Sequence, residues 1–145
     1  MARPLDGIRV LDLTWALSGP FGTMVLSDLG AEVIKVERRI AGDLARSNGP
    51  FVDGVSTYFL SINRGKKSVT LDLKTARGKE LLCELVKQVD VLTENFVPGT
   101  MASLGIDYEV LRQRNPRLIY ASTSGFGQTG PYANKPALDI IVQAM

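Results

Sequence analysis

Ile8-Arg9-Val10-Leu11-Asp12-Leu13, the loop Thr14-Trp15-Ala16-Leu17-Ser18-Gly19-Pro20, and then Glu32-Val33-Ile34-Lys35-Val36 decide the fold. The first run is aliphatic and β-branched and reads as a strand. Pro20 suits a first helical turn, where its missing N–H costs nothing. Phe21, Met24, Val25, Asp28 and Leu29 follow at helical spacing, and Gly30 supplies the C-terminal stop. Residues 32 to 36 form a second strand. A strand, a helix and a strand joined by so short a crossover imply parallel neighbours and a right-handed connection.

Further on, residues 37 to 53 are polar and glycine-containing, a long loop or mobile segment, before Ser68-Val69-Thr70-Leu71-Asp72 returns to strand pattern. Residues 75 to 88 carry a helix. Leu81, Leu82, Leu85 and Val89 form its apolar stripe, with Lys79, Glu80, Glu84 and Lys87 outside. Val89 to Thr93 is strand-like and empties into Glu94-Asn95-Phe96-Val97-Pro98-Gly99. A short helix from Tyr108 to Arg114 precedes a strand at 117 to 122. Beyond it lies a loop holding Gly125, Gly127 and Gly130, then an apolar helix pattern from Ala137 to Met145 that lacks a stop signal. Strands alternating with helices predict an α/β protein: a Rossmann-like open parallel sheet with helices on both faces. The unfinished last helix makes residues 1–145 the expected front part of a larger domain.

Composition narrows the function. With 45% hydrophobic residues, 22% charged and a net charge of +2, the chain has no basic face of the kind nucleic acid requires. Two local segments are basic: Lys35, Arg38, Arg39 and Arg46, and then Arg64, Lys66, Lys67 and Lys74. Near strand ends such residues suit a phosphorylated small molecule, or they are solvated surface charges. A single cysteine, Cys83, excludes an intrachain disulfide, and the absence of histidine removes the commonest metal ligand and general base. No metal site is expected. Met1-Ala2-Arg3-Pro4-Leu5-Asp6 has no apolar secretory region and no run is long enough to span a bilayer. The expected compartment is the cytoplasm, with no membrane partner.

The first loop is not a dinucleotide fingerprint. Ser18-Gly19-Pro20-Phe21-Gly22-Thr23 keeps two glycines out of register, although Glu37 stands where that motif places its ribose-binding carboxylate. Without histidine, the Ser-His and Cys-His nucleophiles are unavailable. Cys83 has Lys79 and Lys87 at i±4, and reads as a thiol with a lowered pKa or as a bystander on its helix. Carboxylates remain: Asp12, Asp72, Glu94 and Asp139 lie at or near strand ends. The Glu94-to-Gly99 turn presents an amide and an aromatic ring as a shelf for a ligand, or else Phe96 plugs the core.

Five segments together resemble the family III CoA-transferases, the formyl-CoA transferase and carnitine CoA-transferase group. They are Pro4–Asp12, Leu29–Glu37, Asn63–Ser68, Glu94-Asn95-Phe96 with Pro98-Gly99, and Gly125-Phe126-Gly127-Gln128-Thr129-Gly130-Pro131. The resemblance implies a protein of several hundred residues of which this is the N-terminal third, paired as an interlocked homodimer. It implies an enzyme that exchanges CoA between an acyl-CoA and a carboxylic acid. An aspartate attacks the thioester to give a mixed anhydride and then an aspartyl-CoA thioester. CoA would be a substrate, and no resident cofactor is expected. That aspartate is expected beyond Met145, so no catalytic residue is assigned within the chain and the chain alone is expected to be inactive.

The resemblance also assigns CoA contacts to Leu17, Ser18, Arg38, Leu71, Lys74, Asn95, Phe96 and Asp139. Formyl-CoA transferase carries glutamine where Leu17 stands, which implies a different acyl group here. Arginines that family members carry near Val97 or at Ser103 are missing, which removes one phosphate contact. A sibling branch, the α-methylacyl-CoA racemases, uses a histidine directly before an aspartate. The matching pair is Leu138-Asp139, and leucine cannot exchange a proton. The alternative from a different class is a free-standing CoA-binding module without chemistry.

Overall fold

The computed structural model describes residues 2–145. In chain order the elements are β1 (Arg9–Asp12), α1 (Ser18–Asp28), β2 (Glu32–Glu37), a 3-10 turn (Leu44–Ser47), the hairpin strands β3 (Phe51–Val52) and β4 (Val55–Ser56), and α2 (Thr57–Asn63). There follow β5 (Lys67–Thr70), α3 (Ala76–Val86), β6 (Val91–Glu94), α4 (Thr100–Leu104), α5 (Tyr108–Arg114), β7 (Ile119–Ser122) and α6 (Asp139–Gln143). Five of the strands form one parallel sheet in the order β5-β2-β1-β6-β7. Each half is wound outward from β1, so the order reverses between β1 and β6.

Strand period decides which residues face which layer. Val10 lies opposite Val33 and Val91, and with Ala31 these residues pack beneath Leu26 of α1. Leu11, Val36 and Leu92 point the other way, into a larger core filled by Leu82 and Val86 of α3 and Leu111 of α5. Helices therefore flank both faces, as the sequence predicts. Helix starts are set by short polar side chains: Ser56, Thr75 and Asp107 accept from the backbone N–H of Phe59, Gly78 and Val110. Each such cap is worth about 1 kcal/mol.

Four stretches depart from the sequence expectation. Residues 37 to 53, read as a long loop or mobile segment, contain the fully buried Ala45 and the buried Asp43. The β3–β4 hairpin and α2 were not foreseen; α2 is held by Phe59 and Ile62 against Ala45, and is too short to show a helical period. Likewise α4 spans a single turn between Gly99 and Gly105, both left-handed, and is anchored by the buried Met101. The last helix, read from Ala137, occupies Asp139–Gln143 and buries none of its residues.

On the α1 face the sheet changes character along its length. Its lower half is apolar, but the C-terminal half buries Asp12, Lys35 and Glu37. Asp12 accepts from the Thr14 N–H at 2.9 Å and the Thr23 hydroxyl at 2.7 Å, and pairs with Lys66 Nζ at 3.1 Å. Lys66 also donates to the Pro20 carbonyl and to Asn63 Oδ1, both at 2.8 Å. Burial pushes the Lys66 ammonium below its ordinary pKa, and the Asp12 charge opposes that shift. Gly65 turns the chain inward at φ +77°, with Ser27 filling the space a Cβ would need.

Removing one member of such a pair strands a buried charge. Lys66→Met is expected to destabilise the fold by about 3–5 kcal/mol, read as a lower urea midpoint.

Candidate functional site

In open parallel sheets ligands settle beyond the strand C-termini where the strand order reverses. Here that place is a cleft of about 580 Å³. Its walls come from four strand ends: Leu13 to Trp15 after β1, residues 38 to 43 after β2, Leu71 to Lys74 after β5, and Phe96 with Thr100 and Leu104 after β6. The lining is mainly apolar and carries four cations, Lys35, Arg38, Arg39 and Lys74, of which Lys35 is paired with Asp43. Arg38 lies over the Trp15 ring, 5.3 Å from its centroid, and donates from Nε to the Gly42 carbonyl at 3.2 Å. Ile40, 96% exposed, stands at the mouth. A long, partly apolar ligand that ends in phosphate fits this combination of charge and hydrocarbon.

Four of the sequence-assigned contacts are brought together in the cleft: Arg38, Leu71, Lys74 and Phe96. Phe96 does both things the sequence left open, because it lines the cleft and packs on the main core. The other four lie elsewhere. Leu17 and Ser18 sit at the exposed start of α1, just outside the lining. Asn95 commits its amide to the first loop: it accepts from the Trp15 N–H at 2.9 Å and donates to the Trp15 carbonyl at 2.8 Å. Asp139 is exposed on α6 and accepts from Gln143.

The basic segments resolve into two classes that sequence alone could not separate. Lys35, Arg46, Arg64, Lys66 and Lys67 are each paired with a carboxylate, whereas Arg38, Arg39 and Lys74 face the cleft. Of the four candidate carboxylates only Asp72 lines it. Asp12 is spent on its pair with Lys66. Glu94 is buried, accepts from the Phe96 N–H at 2.8 Å and from the Ser122 hydroxyl, and so fixes the turn after β6. Tyr120, 3.4 Å from Glu94, has its phenol pushed above the ordinary range by burial and by the Glu94 charge. Cys83 is half-buried on α3 and packs against the main core, away from the cleft. Among the described residues no group of three His, Cys, Asp or Glu is placed to hold a metal, and no helix is long and apolar enough to cross a membrane.

Glu37 is not free for a ribose. Its Oε2 accepts from Arg46 Nε at 2.6 Å and the Asp43 N–H at 3.0 Å, and its Oε1 from Arg46 and the Ser68 hydroxyl, both at 2.7 Å. Arg46 in turn stacks over Phe59, 3.7 Å from the ring centroid. Gly42, at φ +62°, lets the chain fold close to Glu37 and Arg46 where a Cβ would clash with both. Sequence reading placed Arg39 in a basic segment suited to a phosphorylated ligand and Trp15 in the first loop without assigning either a contact, and it missed Asp43. Arg39 was visible as charge beside Arg38; Asp43 gave no signal, because its place depends on how the loop closes.

An open parallel α/β protein with a phosphate-suited cleft at its switch point is thus defined. The chain belongs to the CoA-transferase family III, whose profile matches residues 5–145. It is 56% identical over 142 residues to the acetyl-CoA:oxalate CoA-transferase of Acetobacter aceti, covering 98% of this chain and 36% of that protein. Against the succinyl-CoA:glutarate CoA-transferase of Mus musculus identity is 52%, over 99% of this chain and 33% of the relative. A CAIB/BAIF family protein from Brucella suis superposes with a TM-score of 0.94 at 46% identity, over 100% of this chain and 39% of that one. The chain therefore spans about a third of the length of the curated relatives it matches.

Burial pushes the Glu37 carboxyl up, but the hydrogen bonds from Arg46, Ser68 and the Asp43 N–H, with the Arg46 charge, outweigh it. They take the pKa from 4.5 to about 2. A folded pKa below the unfolded one gives stability that is fully present above pH 4.5 and is lost as pH falls through 2. Unfolding followed against pH for wild type and Glu37→Gln should show a constant gap at neutral pH that closes between pH 4.5 and 2.

Proposed function

We propose that the protein is a CoA-transferase that moves CoA between an acyl-CoA donor and a carboxylic acid in the cytoplasm, with residues 1–145 contributing its CoA-binding part. The observation that carries this reading is the cleft, where Arg38, Lys74, Leu71 and Phe96, all expected CoA contacts, share one wall-to-wall space. Arg38, Arg39 and Lys74 neutralise the phosphates of CoA. Leu71, Phe96 and Trp15 pack against its less polar portions. Asn95 serves by bracing the Trp15 backbone, and Leu17 and Ser18 meet the acyl end from the start of α1.

The chemistry rests on an aspartate that we place outside residues 1–145. Its carboxylate oxygen bonds to the thioester carbonyl carbon and CoA leaves as the thiolate, which gives a mixed anhydride. The thiolate then attacks the aspartyl carbonyl, releases the donor acid and leaves an aspartyl-CoA thioester. The acceptor carboxylate takes the aspartyl group as a new anhydride, and CoA returns to the acceptor's carbonyl to release the aspartate. The apolar residues left exposed at one end of the chain, Leu138 at 74%, Ile140 at 73% and Met145 at 79%, favour an assembly with further chain or a second protomer over a free-standing binding module. An interlocked homodimer meets that need.

Relatives named for oxalate, glutarate and mesaconate align along nearly the whole of this chain, so dicarboxylic acids are the first acceptors to test. The test incubates the longest natural form with acetyl- or succinyl-CoA and each acid, and follows new acyl-CoA by mass spectrometry. Arg38→Ala and Lys74→Ala should each raise KM for acyl-CoA by about tenfold or more, the worth of a charge-assisted phosphate contact, while kcat changes far less. Failure to transfer CoA to any acid would remove the reading. The 145-residue chain alone should bind CoA and transfer none.

A further inference from the structure

Three successive residues of the loop after β1 are tethered by groups from β2 and from the loops after β2 and β6. The Thr14 carbonyl accepts from Lys35 Nζ at 2.7 Å, both backbone groups of Trp15 bond Asn95, and the Ala16 N–H donates to Asp43 Oδ1 at 3.0 Å. Ala16 has φ +67°, a left-handed conformation that residues with a Cβ rarely adopt. Something must hold it there. Asp43 Oδ1 also accepts from the Ala45 N–H at 2.9 Å, and Oδ2 faces Lys35 Nζ at 2.7 Å, with both side chains 1% exposed. Asp43 itself is fixed by its own N–H to Glu37.

We propose that Asp43 is a positioning residue for the cleft: it holds Ala16 in the left-handed conformation, and so fixes Trp15 on one wall against the 38–43 loop on the other. Lys35 is the counter-charge that allows the carboxylate to be buried, and it ties the same loop at Thr14. The two loops then move as one body, and the cleft is shaped before ligand arrives. Released from Asp43, Ala16 relaxes toward negative φ, and Trp15, Leu17 and Ser18 turn with it. The functional consequence rests on the reading of the cleft as a CoA site; the clamp itself rests on geometry alone.

Trp15 is the single tryptophan of the chain and lines the cleft, so its fluorescence reports both loop order and occupancy. The experiment titrates CoA into the longest natural form, with any tryptophan outside residues 1–145 replaced by phenylalanine, while recording Trp15 emission and anisotropy. Lys35→Met/Asp43→Ala, which removes the pair without stranding a charge, should weaken CoA binding by about tenfold, the order of the left-handed penalty for a residue with a Cβ. It should also lower Trp15 anisotropy. Adding Ala16→Gly, which adopts positive φ without strain, should recover at least about threefold of the affinity by the same scale. A purely structural role for Asp43 would show no such rescue. Unchanged CoA affinity in the double variant, or no recovery with glycine, overturns the proposal. If the double variant does not fold, Ala16→Val with the ion pair intact decides: a β-branched residue at φ +67° should weaken binding as strongly, and wild-type affinity would overturn the clamp. Should wild type itself ignore CoA, the functional reading fails, and Trp15 anisotropy in the same variants still tests the clamp.

Discussion

The structure depends on a layer of charge buried at the C-terminal end of the sheet. Asp12, Lys35 and Glu37 all lie on the α1 face, each at most 5% exposed, and none can remain there unpaired. Their partners, Lys66, Asp43 and Arg46, come from segments that would otherwise be free loops. Pairing therefore does more than neutralise charge. It draws the 38–50 segment and the turn before β5 down onto the sheet, and these become the floor and sides of the cleft. Hydrophobic burial alone would order the lower half of the domain and leave this upper half undefined.

The cleft follows from that closure and from topology. A parallel sheet wound outward from β1 leaves a crevice between the loops after β1 and β6, and Asn95 spans it by bonding the Trp15 backbone. With the paired cations drawn inward, the positive charges left facing the cleft are Arg38, Arg39 and Lys74, the arrangement a phosphorylated ligand needs. The CoA proposed for this cleft suits a lining that is mainly apolar and includes those cations.

Much of this was legible in the sequence for a definite reason. The strands of the sheet and helices α1 and α3 carry their own signal, because a buried strand must be apolar and an amphipathic helix must repeat near its turn period. Parallel pairing followed from the short crossover, and the family resemblance selected Arg38, Leu71, Lys74 and Phe96, which the fold then gathered into one cleft. Elements of one or two turns, such as α4 and α2, were not legible. Their five and seven residues are too few to show a period, and they are fixed by one or two buried anchors and a cap rather than by pattern.

By itself, then, the sequence determined the class of fold, the winding direction and the residue types available for chemistry, since local periodicity and the lack of histidine need no partner to be read. What tertiary structure decided was the assignment of each charge. Lys35 and Arg38 lie three positions apart in one basic run, yet one is sealed against Asp43 and the other stands over Trp15 at the cleft. Strand alternation and loop closure, not composition, send them apart, and the role of Asp43 exists only once the loop it belongs to has folded back on the strand end.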